Sequence, residues 1–127
     1  MSAMGFVAVG LGAALGAWLR WGLAAWLNGK VPSFPLGTLA ANLLGGYLVG
    51  LAVAFFIARA DLPPEWRLFA VTGLLGGLTT FSTFSAEVTE LAMRGQAGTA
   101  FLLAAAHLAG SLLLTFAGFA TWRALAS

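Results

Sequence analysis

The sequence predicts an all-α membrane protein with four transmembrane helices, the third of them broken near its middle. Hydrophobic residues make up 61% of the 127 residues and charged residues only 8%, against about 25% charged in ordinary soluble domains. Apolar runs over about residues 4–27, 36–58, 66–94 and 99–122 are each long enough to cross a bilayer. We therefore expect one four-span transmembrane domain that covers residues 1–127.

The composition also argues against several other classes of protein. Six basic residues against four acidic ones give a pI near 10.0, but they form no run or patch, so we expect no nucleic-acid binding. The absence of cysteine excludes disulfides and cysteine-bound metals. No Lys or Arg precedes the first apolar run, so we interpret it as a retained span and not as a cleaved signal peptide. We find no nucleophile–base pair, metal-ligand cluster or phosphate loop, and we expect no enzyme.

The first span combines a face of small residues with one positive charge. Gly12 and Gly16 have the spacing that lets a neighbouring membrane helix approach closely. Arg20 follows one turn later, among tryptophans that are typical of a membrane interface. Two interpretations of Arg20 are open: its side chain extends to the lipid headgroups, or its charge attracts anions near a vestibule.

The second span carries a single amide side chain, Asn42, in an otherwise apolar run. An amide in hydrocarbon must find hydrogen-bond partners, because an unpaired one costs several kcal/mol. Asn42 can satisfy this need by bridging two helices, or its NH₂ group can donate to a passing anion. The span alone leaves both interpretations open.

The third span contains three glycines and five hydroxyl residues between Gly73 and Ser85. These residues hold a straight helix poorly but replace lost main-chain hydrogen bonds well, so we expect a break near Thr79 and Thr80. Phe81 and Phe84 are three residues apart and share one helix face. That spacing is typical of core packing, but the hydroxyl groups on either side also suit a polar path.

The fourth span carries His107, Ser111 and Thr115 at intervals of four residues, which places them on one helix face. Ser and Thr can simply bond back to the preceding turn, and a lone His is usually a helix–helix contact. Together with Asn42 and the hydroxyls of the third span, however, this stripe could line a path. Hydroxyl and amide groups can donate to an anion, and the positive edge of a Phe ring can face one.

The distribution of positive charge predicts the assembly. With four spans, Arg59, Arg67 and Arg123 lie on one side of the membrane, and Lys30 and Arg94 on the other, where Arg20 can add a third charge. The two sides therefore differ by one positive charge or by none, which is too small a difference to fix the orientation of the chain in the membrane. We therefore expect insertion in both orientations and an antiparallel homodimer, in which two copies of the break meet at mid-membrane.

Three motifs resemble those of the CrcB/Fluc family of fluoride channels, and the resemblance covers essentially the whole chain. They are Gly16-Ala-Trp-Leu-Arg-Trp21, Gly37-Thr-Leu-Ala-Ala-Asn-Leu-Leu-Gly-Gly46 and Gly76-Gly-Leu-Thr-Thr-Phe-Ser-Thr-Phe-Ser-Ala-Glu87. The resemblance implies a dual-topology antiparallel homodimer with two fluoride pores in the bacterial inner membrane. Such a channel lets cytoplasmic fluoride leave the cell down its electrochemical gradient and so lowers fluoride toxicity.

The resemblance also implies a role for particular residues. Asn42 is the amide donor of the pore, Phe81 and Phe84 present their ring edges to fluoride, and Arg20 lies near the aqueous vestibule. Ser111 and Thr115 belong to a polar track along the fourth span. The family holds a structural Na⁺ at the dimer interface, and the motif places its ligands on the main-chain carbonyls of Gly76 and Thr79. It implies no role for His107.

Two other functions are compatible with four short spans. A small multidrug exporter is also a dual-topology dimer, but that class needs a membrane carboxylate in the first span, where this chain has Arg20 and no acid. A non-transporting assembly subunit would use the polar residues only to hold helices together. It would pass no ion in liposomes.

Overall fold

The computed structural model describes residues 1–127, and all its long elements are helices. Helix α1 spans Ala3–Leu27 and α2 spans Leu36–Ala58. Helix α3 (residues 64–78) begins as an α-helix over Pro64–Arg67, continues as a π-helix over Leu68–Leu75 and ends as one α-turn over Gly76–Leu78. Helix α4 spans Phe81–Met93 and α5 spans Ala97–Ala126. Helices α3 and α4 together form the third span.

Helix α1 packs directly against α3 through glycines on both helices. A Cβ atom at Gly12 would lie 2.8 Å from the amide nitrogen of Leu74, and one at Gly16 would lie 2.7 Å from that of Leu78. On the facing helix, a Cβ atom at Gly73 would lie 3.0 Å from the Cα atom of Gly12. The prediction of close packing at Gly12 and Gly16 is therefore confirmed, and it fixes the N-terminal side of the break against α1.

Helices α2 and α5 form a second pair that is packed in the same way. A Cβ atom at Gly50 would lie 3.1 Å from the Cα atom of Gly118. One turn away, Thr115 Oγ1 donates to the Gly46 carbonyl at 2.8 Å and to the Ser111 carbonyl of its own helix at 2.9 Å. The small residues let α5 lie close enough to α2 for side chains of both helices to meet beside the break.

The start of α2 is capped by a residue from the preceding loop. Asn28 Oδ1 accepts hydrogen bonds from the amides of Gly37 at 2.7 Å and Thr38 at 3.2 Å. The residue before the helix, Pro35, has no polar side chain and forms no such bond. Asn28 therefore satisfies two amides that the first turn of a helix leaves free.

Most of the surface of the chain is apolar. Only 20 of the 127 residues are buried, and large side chains such as Phe101 and Phe116 are 77% and 74% exposed. Four helical segments are long and apolar enough to cross a membrane: Ala3–Leu27, Leu36–Ala58, Pro64–Met93 and Ala97–Ala126. The exposed apolar surface is what lipid contact requires, and the chain is a multi-pass membrane protein with the four spans that its sequence predicts.

Candidate functional site

The third span is interrupted at Thr79 and Thr80. Both residues have extended main-chain angles, φ −93° and ψ 155° for Thr79 and φ −152° and ψ 116° for Thr80. Their hydroxyls serve the two helix ends: Thr79 Oγ1 donates to the Leu75 carbonyl at 2.9 Å, and Thr80 Oγ1 accepts from the Thr83 amide at 3.1 Å. The predicted break is confirmed at the predicted pair, and the Thr80 hydroxyl replaces the main-chain acceptor that the Thr83 amide would have in an unbroken helix.

Asn42 of α2 is bonded to both main-chain polar groups of Thr80. Its Oδ1 accepts from the Thr80 amide at 2.8 Å, and its Nδ2 donates to the Thr80 carbonyl at 3.0 Å. The same Nδ2 lies 3.0 Å from Nδ1 of His107 on α5. Because the NH₂ group has two hydrogens, both are engaged, and Asn42 joins three helical segments at the break. Of the two interpretations of Asn42, helix bridging is therefore observed in this conformation.

His107 is buried beside Asn42, with 3% of its surface exposed. The Asn42 Nδ2 atom can only donate, so His107 Nδ1 is the acceptor and the ring proton is on Nε2. This Nε2 atom is buried without a hydrogen-bond partner. The imidazole also contacts the Phe84 ring, with centroids 4.4 Å apart and planes 32° apart. The four-residue spacing in α5 indicated the face that carries His107, but not these partners.

Phe81 and Phe84 lie on the first turn of α4, directly after the break. Their ring centroids are 5.4 Å apart and the ring planes meet at 78°, so one ring presents its edge to the other. Phe84 is buried at 6% exposure, whereas Phe81 is 71% exposed. Both line a groove of about 420 Å³ that runs along the break. The groove is lined by polar groups and rings from α2, α4, α5 and the break, among them Asn42, Thr79, Thr80, Phe81, Phe84, His107 and Ser111.

The structure brings four of the six predicted pore residues to this groove: Asn42, Phe81, Phe84 and Ser111. Thr115 lies one turn beyond Ser111, where its hydroxyl bonds to two main-chain carbonyls between α2 and α5. Arg20 does not line the groove either; its Nε donates to the Gly77 carbonyl at 3.0 Å. Neither sequence-based interpretation of Arg20 included this contact with the main chain of the break.

The carbonyls of Gly76 and Thr79 have lost the donors that an unbroken helix would give them. In such a helix the Thr80 amide would bond to Gly76, but it donates to Asn42 instead. The Thr83 amide would bond to Thr79, but it donates to the Thr80 hydroxyl. Main-chain carbonyl oxygens are ligands that hard cations accept. The residues present at the break therefore fit a cation bound by carbonyls, and no cluster of His, Asp or Glu side chains offers another metal site.

Glu87 is a membrane-span carboxylate for which the sequence indicated no partner. Its Oε2 accepts from the Thr38 hydroxyl at 2.7 Å, and its Oε1 is buried without a partner. The contact joins α4 to the first turn of α2, two turns beyond Phe81. A spacing of 49 residues separates the two side chains, so only the fold identifies the pair.

Known proteins resemble the whole chain. Residues 7–119 match the family model described as CrcB-like protein, Camphor Resistance (CrcB). A protein of Ralstonia nicotianae named fluoride-specific ion channel FluC is 64% identical over 125 residues, which are 98% of this chain and 99% of that protein. Proteins of the same name are 64% identical in Cupriavidus necator, over 99% of this chain and 100% of that protein, and 59% identical in Pseudomonas putida, over 91% of each. The chain belongs to the CrcB-like family.

Proposed function

We propose that this protein is a fluoride-selective channel of the bacterial inner membrane. It lets cytoplasmic fluoride leave the cell down its electrochemical gradient and so lowers fluoride toxicity. The observation that carries the proposal is the identity of about 60% or more, over nearly the full length, to bacterial proteins named fluoride-specific ion channel. The proposed activity involves no chemical step, and nothing favours the multidrug-exporter alternative.

The active form that we propose is an antiparallel homodimer with dual topology. Two observations support it besides the near-equal charge of the two sides. The groove at the break, which the polar side chains of Asn42 and Ser111 help to line, opens on the surface of the chain, and Phe81 beside it is 71% exposed. Polar groups that face lipid at mid-membrane are costly, so a second copy over the groove would shield them.

In this proposal the groove provides the fluoride path. Ser111 supplies a hydroxyl, Phe81 and Phe84 supply positive ring edges, and Arg20 supplies a positive charge near the path. Thr115 would supply a second hydroxyl one turn beyond the groove, once its single hydrogen leaves the Gly46 and Ser111 carbonyls. Asn42 supplies an amide hydrogen, which it must release from the Thr80 carbonyl or from His107, since both hydrogens are engaged in this structure. A strongly hydrated anion needs several donors, and this path offers them from three helical segments.

We further propose that the dimer interface holds a structural Na⁺ at the two breaks. Gly76 and Thr79 of each copy would bind it through their main-chain carbonyls. The free acceptors described above support this assignment, and the ion would stabilise the interface by joining the two breaks. It carries no part of the fluoride flux in this proposal.

The test of the function is fluoride efflux from liposomes. Purified protein is reconstituted into vesicles loaded with KF, a potassium ionophore is added, and external fluoride is read with an electrode. We expect rapid fluoride loss, and chloride retained in parallel vesicles loaded with KCl. Retained fluoride, together with uptake of a cationic dye driven by a proton gradient, would instead indicate an exporter. If neither is seen, the protein is a non-transporting subunit.

Two further experiments test the path and the topology. Phe81→Ile removes one ring edge and should slow fluoride flux at least about tenfold, whereas Phe116→Ile, on a lipid-exposed ring of α5, should leave it unchanged. Equal flux in both variants would remove Phe81 from the path. Reporters fused to the C-terminus should appear on both sides of the membrane, and a single orientation would contradict dual topology.

A further inference from the structure

Arg20 contributes a charged donor to the break from a different helix. Its Nε donates to the Gly77 carbonyl at 3.0 Å, across 57 residues of sequence, and its side chain is partly buried. The ion pairs of the chain are Arg59–Asp61 and Arg94–Glu90, and neither includes Arg20. The charge of Arg20 is therefore not balanced by a carboxylate of its own chain.

Arg20 also occupies one of the carbonyls that the break would otherwise leave free. The Gly77 carbonyl is bonded to Arg20, and the Leu75 carbonyl accepts from both the amide and the hydroxyl of Thr79. On either side of the Gly77 carbonyl, Gly76 and Thr79 keep acceptors whose helical donors are diverted. A positive guanidinium is thus fixed within one or two residues of the proposed cation ligands.

We propose that Arg20 makes the shared cation site selective for monovalent over divalent ions. The inference rests on the proposed dimer and its Na⁺ site, and it assigns to Arg20 a positioning and charge-setting role there. Two antiparallel copies bring two guanidinium groups to a site that offers neutral carbonyls only. Divalent cations in proteins are usually held by carboxylates, which this site lacks.

The size of the effect follows from the charges. Each guanidinium repels a divalent ion with twice the energy with which it repels a monovalent one. If each guanidinium lies about 12 Å from the ion in a medium with an effective dielectric constant of about 20, the additional repulsion from the two groups weakens divalent binding roughly 100-fold relative to monovalent binding. A neutral donor at position 20 would keep the hydrogen bond to Gly77 and remove this penalty.

The experiment measures thermal stability and not flux. The melting temperature of the purified protein is followed by tryptophan fluorescence in detergent during titration with Na⁺ or Ca²⁺, with N-methylglucamine chloride keeping the ionic strength constant. For the wild type we expect Na⁺ to raise the melting temperature and Ca²⁺ to do so only at about 100-fold higher concentration. In Arg20→Gln the two concentrations should differ by less than about tenfold. Arg20→Lys keeps the charge and should keep the wild-type difference, as should Arg123→Gln, which removes an exposed arginine of α5.

The outcomes separate this inference from the proposed function. Equal stabilisation of the wild type by Na⁺ and Ca²⁺ overturns the role of Arg20. This comparison uses only the wild-type protein, so it does not depend on whether a variant folds. An unchanged difference in Arg20→Gln, or a lost difference in Arg20→Lys, also overturns it. A wild type that responds to neither cation overturns the cation site and this inference together, while fluoride efflux from the same preparation decides the channel function independently.

Discussion

Replacing Asn42 by Asp changes one NH₂ group to an oxygen and tests the centre of the site. The amide of Thr80 still has an acceptor, but the Thr80 carbonyl and His107 Nδ1 each lose a donor at 3.0 Å. His107 can recover one bond by moving its proton to Nδ1 and donating to the new carboxylate. The Thr80 carbonyl cannot recover its bond, and it then faces a negative oxygen.

The cost divides between stability and flux. One buried carbonyl without a donor costs about 1–3 kcal/mol, and side-chain hydrogen bonds between membrane helices contribute about 0.6 kcal/mol on average. We therefore expect the free energy of unfolding of Asn42→Asp to be about 1–2 kcal/mol lower than that of the wild type. The fixed negative charge acts on the anion itself. At a separation of about 5 Å and an effective dielectric constant of about 20, it raises the energy of fluoride in the path by about 3 kcal/mol, which slows flux about 100-fold.

Liposome flux and denaturation in mixed micelles measure these two costs separately. Asn28→Asp is the matched control, because Asn28 uses only its oxygen, to accept from the amides of Gly37 and Thr38. An aspartate there keeps both bonds and places its charge at a helix N-terminus, where negative charge is favourable. We expect wild-type flux from Asn28→Asp. Flux from Asn42→Asp within about threefold of the wild type would refute the reasoning for Asn42.

Two further predictions concern packing and charge outside the groove. Gly16→Ala places a Cβ atom against the main chain of α3 and should lower stability in micelles by about 1–3 kcal/mol, whereas Gly22→Ala, with open space around it, should not. Equal stability of both variants would contradict the close packing. In the loop after α2, the hydrogen bond from Arg59 lowers the pKa of Asp61 below 3.8. Any stability from this exposed pair is therefore present above pH 3.8 and lost as pH falls through the lowered pKa. Arg59→Gln should raise the pKa of Asp61, which a carboxyl NMR titration measures. An unchanged Asp61 pKa in this variant would exclude the bond between Arg59 and Asp61 in solution.

The features that the sequence predicted correctly are those that short segments determine. Apolar length predicts the four spans, and the spacing of Gly12 and Gly16 predicts the close contact with a neighbouring helix. The run of glycines and hydroxyl residues predicts the break at Thr79 and Thr80, because every replacement bond within the third span, such as Thr83 to Thr80, joins residues only a few positions apart. Local chemistry therefore sufficed for the backbone of the site.

The features that the sequence could not predict depend on contacts between distant segments. Asn42 needed partners, but only the fold selects Thr80, 38 residues away, and His107, 65 residues away. The spacing of His107, Ser111 and Thr115 on α5 indicates that they share a helix face, but not which helix that face contacts. The sequence therefore predicts no partner for His107. Arg20 was interpreted as facing lipid headgroups or water, because nothing in its own span shows that a free carbonyl lies at its level on α3.

The pattern of hydrogen bonds at the break shows how the two proposed sites, for ions of opposite charge, would lie side by side. Interrupting a helix frees amides and carbonyls together. Here side-chain oxygens of Asn42 and Thr80 take the amides of Thr80 and Thr83, so the acceptors of Gly76 and Thr79 remain. The main chain of the break is therefore suited to a cation. In the proposed channel an anion would find its donors on side chains instead, and the groove that Gly76 and Thr79 help to line also carries the Asn42 amide, the Ser111 hydroxyl and the ring edges of Phe81 and Phe84.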